Sequence, residues 1–180
     1  MSAMPEASLA APELAPRRAT LGFMFSHPAH AIALGFGAGL APVAPGTWGT
    51  LWAWLAFVVL QQWLTPAQLG ELIALSLPLG WWACTVTARN LRVADPSAVV
   101  WDEIVCFWIV LWVVMPAGWV AQLAAFALFR FFDAVKPGPV GWADRSFKGW
   151  GWRGGFGILV DDLVAAFCTL LVLALWRTWA

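Results

Sequence analysis

The 180-residue chain has no tyrosine, two histidines and three cysteines, and only 11% of its residues are charged. Soluble domains carry roughly 25% charged residues, so this chain cannot build a water-facing surface of the ordinary kind. Formal net charge is zero, which removes the basic surplus that a nucleic-acid partner would require. Cys84, Cys106 and Cys168 each lie within apolar runs. They read as buried free thiols, with neither a disulfide framework nor a Cys/His metal spacing. His27 and His30 sit in a segment expected to be exposed and read as headgroup contacts or interfacial packing. What remains is 62% hydrophobic and includes 15 tryptophans. That composition describes an integral membrane protein whose tryptophans act as lipid anchors at the interface.

Residues 1–22, rich in Ala, Pro, Ser and Glu, read as a disordered tail; residues 23–180 read as one membrane-embedded domain. No secretory signal is expected, because no basic start leads directly into an apolar core with a cleavage site. Phe23–His30, aromatic and interrupted by Pro28, should lie at the interface. Gly35–Thr50 is too rich in Gly and Pro for a regular span and is expected as a loop or a broken, re-entrant segment. No Gly-Lys-Ser/Thr follows, so it is not a Walker loop. Its amides, Gly46 and Thr47 among them, suit an oxyanion cradle at a helix start; tight packing at a helix entry is the other reading.

Five spans are expected: about Thr50–Leu64, Leu72–Ala88, Ala98–Met115, Gly118–Val135 and Ile158–Trp176. The class is therefore all-α, with a glycine/proline-rich broken segment before the first span and a long loop before the last. Pro66 and Pro116-Ala117-Gly118 mark tight turns without Lys or Arg. Arg17, Arg18, Arg89, Arg92, Lys136, Arg145, Lys148 and Arg153 fall on the opposite side, with Arg177 as the exception. Positive charge favours the cytoplasm, which places the N-terminus inside and the C-terminus outside.

Charges inside apolar runs are expensive and mark functional sites. Arg130, Asp133 and Lys136 are spaced by three, on one arc of a helix that Pro137 should stop near Lys136. Asp102-Glu103 opens the third expected span and Asp161-Asp162 the fifth. On the expected topology these groups, with the glycine segment, meet at the cytoplasmic ends of neighbouring helices. Carboxylates without His or Cys favour a hard cation, and Mg²⁺ is the usual choice where a phosphate completes its shell. Arg130 and Lys136 would grip phosphate oxygens. Structural ion pairs, snorkelling to headgroups, or acidic residues favoured by a helix N-terminus are the competing explanations.

The chain resembles the phosphatidylglycerophosphatase A family. The resemblance runs from about His27 to Trp176 and is carried by His27-Pro28-Ala29-His30, Gly35-Phe36-Gly37-Ala38-Gly39-Leu40 and Pro45-Gly46-Thr47-Trp48-Gly49-Thr50. It continues through Val100-Trp101-Asp102-Glu103, Phe132-Asp133-Ala134-Val135-Lys136-Pro137-Gly138-Pro139 and Gly154-Gly155-Phe156-Gly157-Ile158-Leu159-Val160-Asp161-Asp162. It implies a Mg²⁺-dependent phosphomonoesterase at the cytoplasmic face of the bacterial inner membrane, converting phosphatidylglycerophosphate to phosphatidylglycerol in phospholipid biosynthesis. Asp102, Glu103, Asp133, Asp161 and Asp162 carry over as catalytic and metal-binding residues, Arg130 and Lys136 as basic ones. Cys106 and Ala166 stand where the family usually has Gly, and the 148–153 loop looks longer than usual. The expected chemistry is metal-assisted attack by water, since the Asp-x-Asp nucleophile pattern of haloacid-dehalogenase-type phosphatases is absent. Alternatives are a phosphatase of another phosphorylated lipid, or an ion-coupled transporter using the same charges. Membrane lipids are the expected surroundings.

Overall fold

The computed structural model describes residues 15–147 and 149–179; Lys148 and most of the expected N-terminal tail lie outside them. Among the described residues every regular element is helical: α1 (Leu21–Phe25), α2 (Pro28–Ala33), a 3₁₀ segment (Gly35–Leu40), α3 (Pro45–Leu60), α4 (Pro66–Leu91), α5 (Trp101–Val114), α6 (Trp119–Val135), α7 (Pro139–Phe147) and α8 (Gly151–Trp179). Two helices, Pro66–Leu91 and Gly151–Thr178, are long and apolar enough to cross a membrane; Pro45–Leu60 is apolar but shorter.

The helix ends follow local chemistry. Thr65 caps α4 in a reciprocal capping box with Gln68 and is followed by Pro66, whose missing N–H costs nothing at a first helical position. α6 stops at Val135, as the restriction on a residue before proline requires, and Lys136 takes a left-handed backbone conformation (φ 50°) rather than the extended one that restriction favours.

α5 is the hub. It packs against α3, α4, α6 and α8; Trp101, Asp102, the whole of Ile104–Trp108, Val110 and Leu111 are buried, and only its last turn, at Trp112 and Val113, is exposed. A helix apolar all round belongs in the interior. Indole N–H groups tie this interior together. Trp108 Nε1 donates to Ala53 O (2.9 Å), Trp101 Nε1 to Ser76 O (3.2 Å) and Trp112 Nε1 to Pro66 O (2.8 Å). Trp54 Nε1 donates to Gln122 Oε1 (2.7 Å) and Trp81 Nε1 to Trp152 O (2.7 Å). These five tryptophans are inter-element staples rather than lipid anchors, because a carbonyl on a neighbouring helix is a partner that hydrocarbon cannot supply. Trp63, Trp119, Trp142 and Trp176 remain exposed, as anchors should.

Two expectations are corrected around the final helix. The long loop before it contains α7, and α8 begins at Gly151, seven residues before the expected Ile158. Gly154, Gly155 and Gly157, expected ahead of the last span, are interior helix positions. Gly155 shows why: a Cβ there would lie 2.9 Å from Thr85 Cβ and 3.0 Å from its Cα. Its absence lets α8 close onto α4, a tertiary contact that overrides low helix propensity. Asp161-Asp162 therefore sits ten positions inside α8 rather than opening it, which removes the helix-dipole explanation for the pair.

His30 is the third correction. It is buried, stacked on Phe23 with ring centroids 4.0 Å apart. Its Nδ1–H donates to Phe23 O (2.9 Å) and Nε2 accepts from Asn90 Nδ2 (2.9 Å). Burial lowers its pKa below the usual histidine range, against the raising effect of the Phe23 carbonyl and with a small contribution from His27. The ring pins α1 and α2 to α4. Nearby, Arg17 N donates to Leu91 O (2.8 Å) and Arg92 Nη1 to Ala15 O (3.3 Å), so the described end of the expected tail lies against the end of α4.

Candidate functional site

Asp102 and Glu103 occupy the first turn of α5, and α8 brings Asp162 to them. One carboxylate oxygen from each of the three lies within 4.8 Å of the others. Asp102 and Asp162 are buried. Asp102 Oδ1, Glu103 Oε2 and Asp162 Oδ2 have no hydrogen-bond partner among the described residues. A buried polar atom without a partner costs about 1–3 kcal/mol, and more when charged, so three converging on one point describe a place where a cation belongs. All-oxygen ligands suit a hard divalent ion.

Arg130 and Asp133, one turn apart on α6, pair with each other, and Arg130 Nη1 also lies 3.7 Å from Glu103 Oε1. Arg130 Nη1 further donates to Thr50 Oγ1 (3.4 Å), and Thr50 Oγ1 donates to Gly46 O (2.9 Å). Gly46 and Thr50 share the inward face of α3. A Cβ on Gly46 would run into Glu103 Oε1 and come within 3.1 Å of both Arg130 terminal nitrogens. Glycine here is a condition of closeness between α3 and the charged groups. Thr47 points about 100° away, and its amide donates to Ala44 O (2.9 Å).

The stripe Arg130–Asp133–Lys136 divides. Because the backbone leaves the helix at Lys136, its ammonium turns to α7 and α8, donating to Asp144 Oδ1 (2.7 Å) and to Asp161 Oδ2. Burial works to discharge this lysine, but hydrogen bonds and charge from Asp144 and Asp161 outweigh it and raise its pKa above the ordinary lysine range. It is a fixed cation. Asp161 and Asp162, about 100° apart on the helix, thus serve two neighbouring groups: Asp162 faces Asp102 and Glu103, Asp161 faces Lys136. Beside Lys136 a pocket of about 90 Å³ is lined by Asp95, Asp144, Asp161 and the backbone of Gly149, Gly154 and Gly157. Asp161 Oδ1 is buried without a partner.

Every charged residue singled out in the sequence is therefore in or beside this site. Thr50, Asp95 and Asp144 were missed. Asp144 had a signal: Val140, Ala143 and Phe147 recur at helical spacing along α7, which would have made its element visible. Among the described residues Arg130 pairs with Glu103 and Asp133, and Lys136 with Asp144 and Asp161.

A family model described as phosphatidylglycerophosphatase A matches residues 31–177. The chain belongs to the phosphatidylglycerophosphatase A family. It is 39% identical over 153 residues to a phosphatidylglycerophosphatase A of Haemophilus influenzae, covering 85% of this chain and 91% of that one. It is 40% identical over 141 residues to the Escherichia coli K12 protein of that name, 78% of each. A putative phosphatidylinositol-3-phosphatase of Bacteroides thetaiotaomicron is 38% identical over 157 residues, covering 81% of this chain and 91% of that one. No solved structure matches significantly. Membership makes the chain a phosphatase. The two glycine departures from the family pattern fall in the packed interior. Cys106 is fully buried, with its thiol 4.0 Å from Leu159 O on α8, and Ala166 is buried on that same helix. Neither displaces a charged residue.

Proposed function

We propose that this enzyme removes the terminal phosphate of phosphatidylglycerophosphate, leaving phosphatidylglycerol, in a Mg²⁺-dependent reaction at the cytoplasmic face of the inner membrane, as a step of phospholipid biosynthesis. The observation that carries the reading is the meeting of Asp102, Glu103 and Asp162, with unpartnered buried oxygens, beside Arg130 and Lys136. The names of the Haemophilus influenzae and Escherichia coli relatives supply the substrate.

Asp102, Glu103 and Asp162 would hold the Mg²⁺. Bound there, the ion would supply Lewis acidity and the positive charge that the excess of carboxylates lacks. The remaining work belongs to the chain itself. Arg130, braced by Asp133 and Thr50, has a buried Nε–H without a partner; that donor reaches for a phosphoryl oxygen. Lys136 offsets charge on the transferred group. Asp161 Oδ1 accepts the proton of the attacking water.

Five helices, α3, α4, α5, α6 and α8, cross the membrane in this reading, with the Arg/Lys-rich side in the cytoplasm. α5 has 14 residues, about 21 Å, so its charged first turn lies near the headgroups rather than at the midplane. That depth suits headgroup chemistry and disfavours the transporter alternative, which needs a site near the midplane. The Bacteroides thetaiotaomicron relative's name makes a phosphoinositide the comparison substrate.

The test is phosphate release by the purified protein in detergent from phosphatidylglycerophosphate and from a phosphoinositide, with Mg²⁺ and with EDTA. Mg²⁺-dependent release from the first, lost in a folded Asp162→Asn variant, is expected. Equal rates with and without EDTA would overturn the metal assignment, and preference for the phosphoinositide would overturn the substrate.

A further inference from the structure

An apolar groove of about 720 Å³, separate from the charged cluster, lies between the 3₁₀ segment and the outer face of α3. Phe36, Ala38 and Leu40 line one side, and Trp48, Leu51 and Leu55 the other; no charged residue lines it. We propose that this groove holds one acyl chain of the phosphorylated lipid whose headgroup is bound at the charged site. The proposal rests on the lipid-phosphatase reading above.

Three observations carry it. First, the two elements that wall the groove also build the site. α3 turns Gly46 and Thr50 towards Glu103 and Arg130 while presenting Trp48, Leu51 and Leu55 on its other face. The 3₁₀ segment stands on the start of α5: a Cβ on Gly35 would lie 2.7 Å from Ile104 Cδ1 and 2.9 Å from Val100 Cγ2, and Phe36 meets Trp101 edge-on at 6.0 Å, next to Asp102. A ligand in the groove is therefore in mechanical contact with the residues that hold the acidic pair.

Second, the direction is right for a lipid. Gly46 lies at the first turn of α3, and Leu55 nine residues further on is roughly 13 Å along the axis. On α3 the groove starts at Trp48, two residues past Gly46 but on the opposite face, and runs on to Leu55, so a headgroup reaching round the first turn of α3 would leave its tail along the groove. Third, the lining suits hydrocarbon. Phe36, Trp48 and Leu55 are 60%, 55% and 59% exposed. Such a lining suits an acyl chain, and a water-soluble phosphate ester would gain nothing from it. Within a bilayer some acyl chain will fill any such groove; the substrate's own chain is favoured because its phosphate is held by Arg130 and Lys136, whereas a bulk lipid has no second contact.

The experiment compares phosphatidylglycerophosphate and phosphatidylcholine, each with a diazirine midway along one acyl chain. Both are photolysed with the full-length protein in detergent micelles, and labelled peptides are read by mass spectrometry. At equal mole fraction the phosphorylated lipid should label residues 35–55 about tenfold more, and Ala41→Trp at the groove should abolish the excess. Equal labelling by both lipids would assign the groove to bulk lipid and overturn the proposal, as would labelling concentrated elsewhere. In a kinetic arm, the ratio of kcat/KM for the long-chain substrate to that for its deacylated counterpart should fall about tenfold in Ala41→Trp and in Leu51→Trp. An unchanged ratio in both folded variants would also overturn it. Failure of the wild type to release phosphate from any lipid would strike the phosphatase reading; the labelling comparison needs no turnover and decides the groove separately.

Discussion

Replacing Gly46 by alanine adds one methyl group at the point where α3 meets the charged cluster. The new Cβ would overlap Glu103 Oε1 and approach Arg130 Nη1 and Nη2 at 3.1 Å. Two opposing effects set the stability. Overpacking typically costs 1–3 kcal/mol, but alanine is up to about 1 kcal/mol better than glycine within a helix, and the crowded atoms end flexible side chains that can withdraw. The net destabilisation should be about 0–2 kcal/mol, small enough for the protein to fold. Activity has no such relief. Glu103 must retreat by about 1 Å, and a misplacement of that size costs about 10²-fold in rate. The assay pairs thermal unfolding in detergent with kcat/KM for phosphate release at saturating Mg²⁺. A folded Gly46→Ala enzyme within about threefold of wild type would refute the placement of Glu103 in the site, since ~10² is what the displacement demands.

Other perturbations separate structural from chemical roles. Asp162→Asn should lose at least ~10²-fold in activity, yet unfold at a higher temperature than wild type in EDTA, because one of several crowded carboxylates has been neutralised; a lower melting temperature in EDTA would contradict that crowding. Lys136→Met strips Asp144 and Asp161 of their shared cation and should destabilise by about 1–3 kcal/mol, less than a fully buried pair because the lysine is partly exposed; chemical denaturation reads this directly. Gly155→Val should separate α4 from α8 and cost about 1–3 kcal/mol, visible as a lower melting temperature. His30, held neutral with a lowered pKa, contributes stability above the unfolded-state value of 6.5. That contribution should be lost as pH falls below 6.5 and the buried ring is forced to protonate. A His30→Gln variant should show a flatter melting profile between neutral and mildly acidic pH, and an unchanged slope would argue against the buried imidazole.

Much of this was legible in the chain. Apolar run lengths found the five long helices, although α3, α4 and α8 begin at Pro45, Pro66 and Gly151 rather than at the expected Thr50, Leu72 and Ile158, and the Lys136-Pro137 step located the end of α6. Charges inside those runs pointed to the candidate site, and the structure brings Asp102, Glu103 and Asp162 together beside Arg130 and Asp133. What stayed hidden depended on partners distant in sequence. The glycines at 154–157 look like loop until Thr85 is known to press on Gly155. His30 looks exposed until Asn90, sixty residues away, is placed on its ring. Thr50 looks like a helix-entry residue until Arg130 arrives from α6. Helical spacing gave Arg130, Asp133 and Lys136 one face, yet the left-handed turn at Lys136 sends its ammonium to a different group.

That turn has a practical consequence for anyone redesigning the enzyme. A left-handed residue after a helix is where stabilisation schemes insert glycine, since a side chain there costs about 1 kcal/mol or more in backbone strain. At position 136 the substitution would ease the backbone while deleting the cation shared by Asp144 and Asp161. The local turn preference and the electrostatics of the site pull in opposite directions at one residue. Glycine there would gain about 1 kcal/mol of backbone relief against the roughly 1–3 kcal/mol lost with the shared cation, so a small net shift in a melting curve would hide the removal of the ammonium.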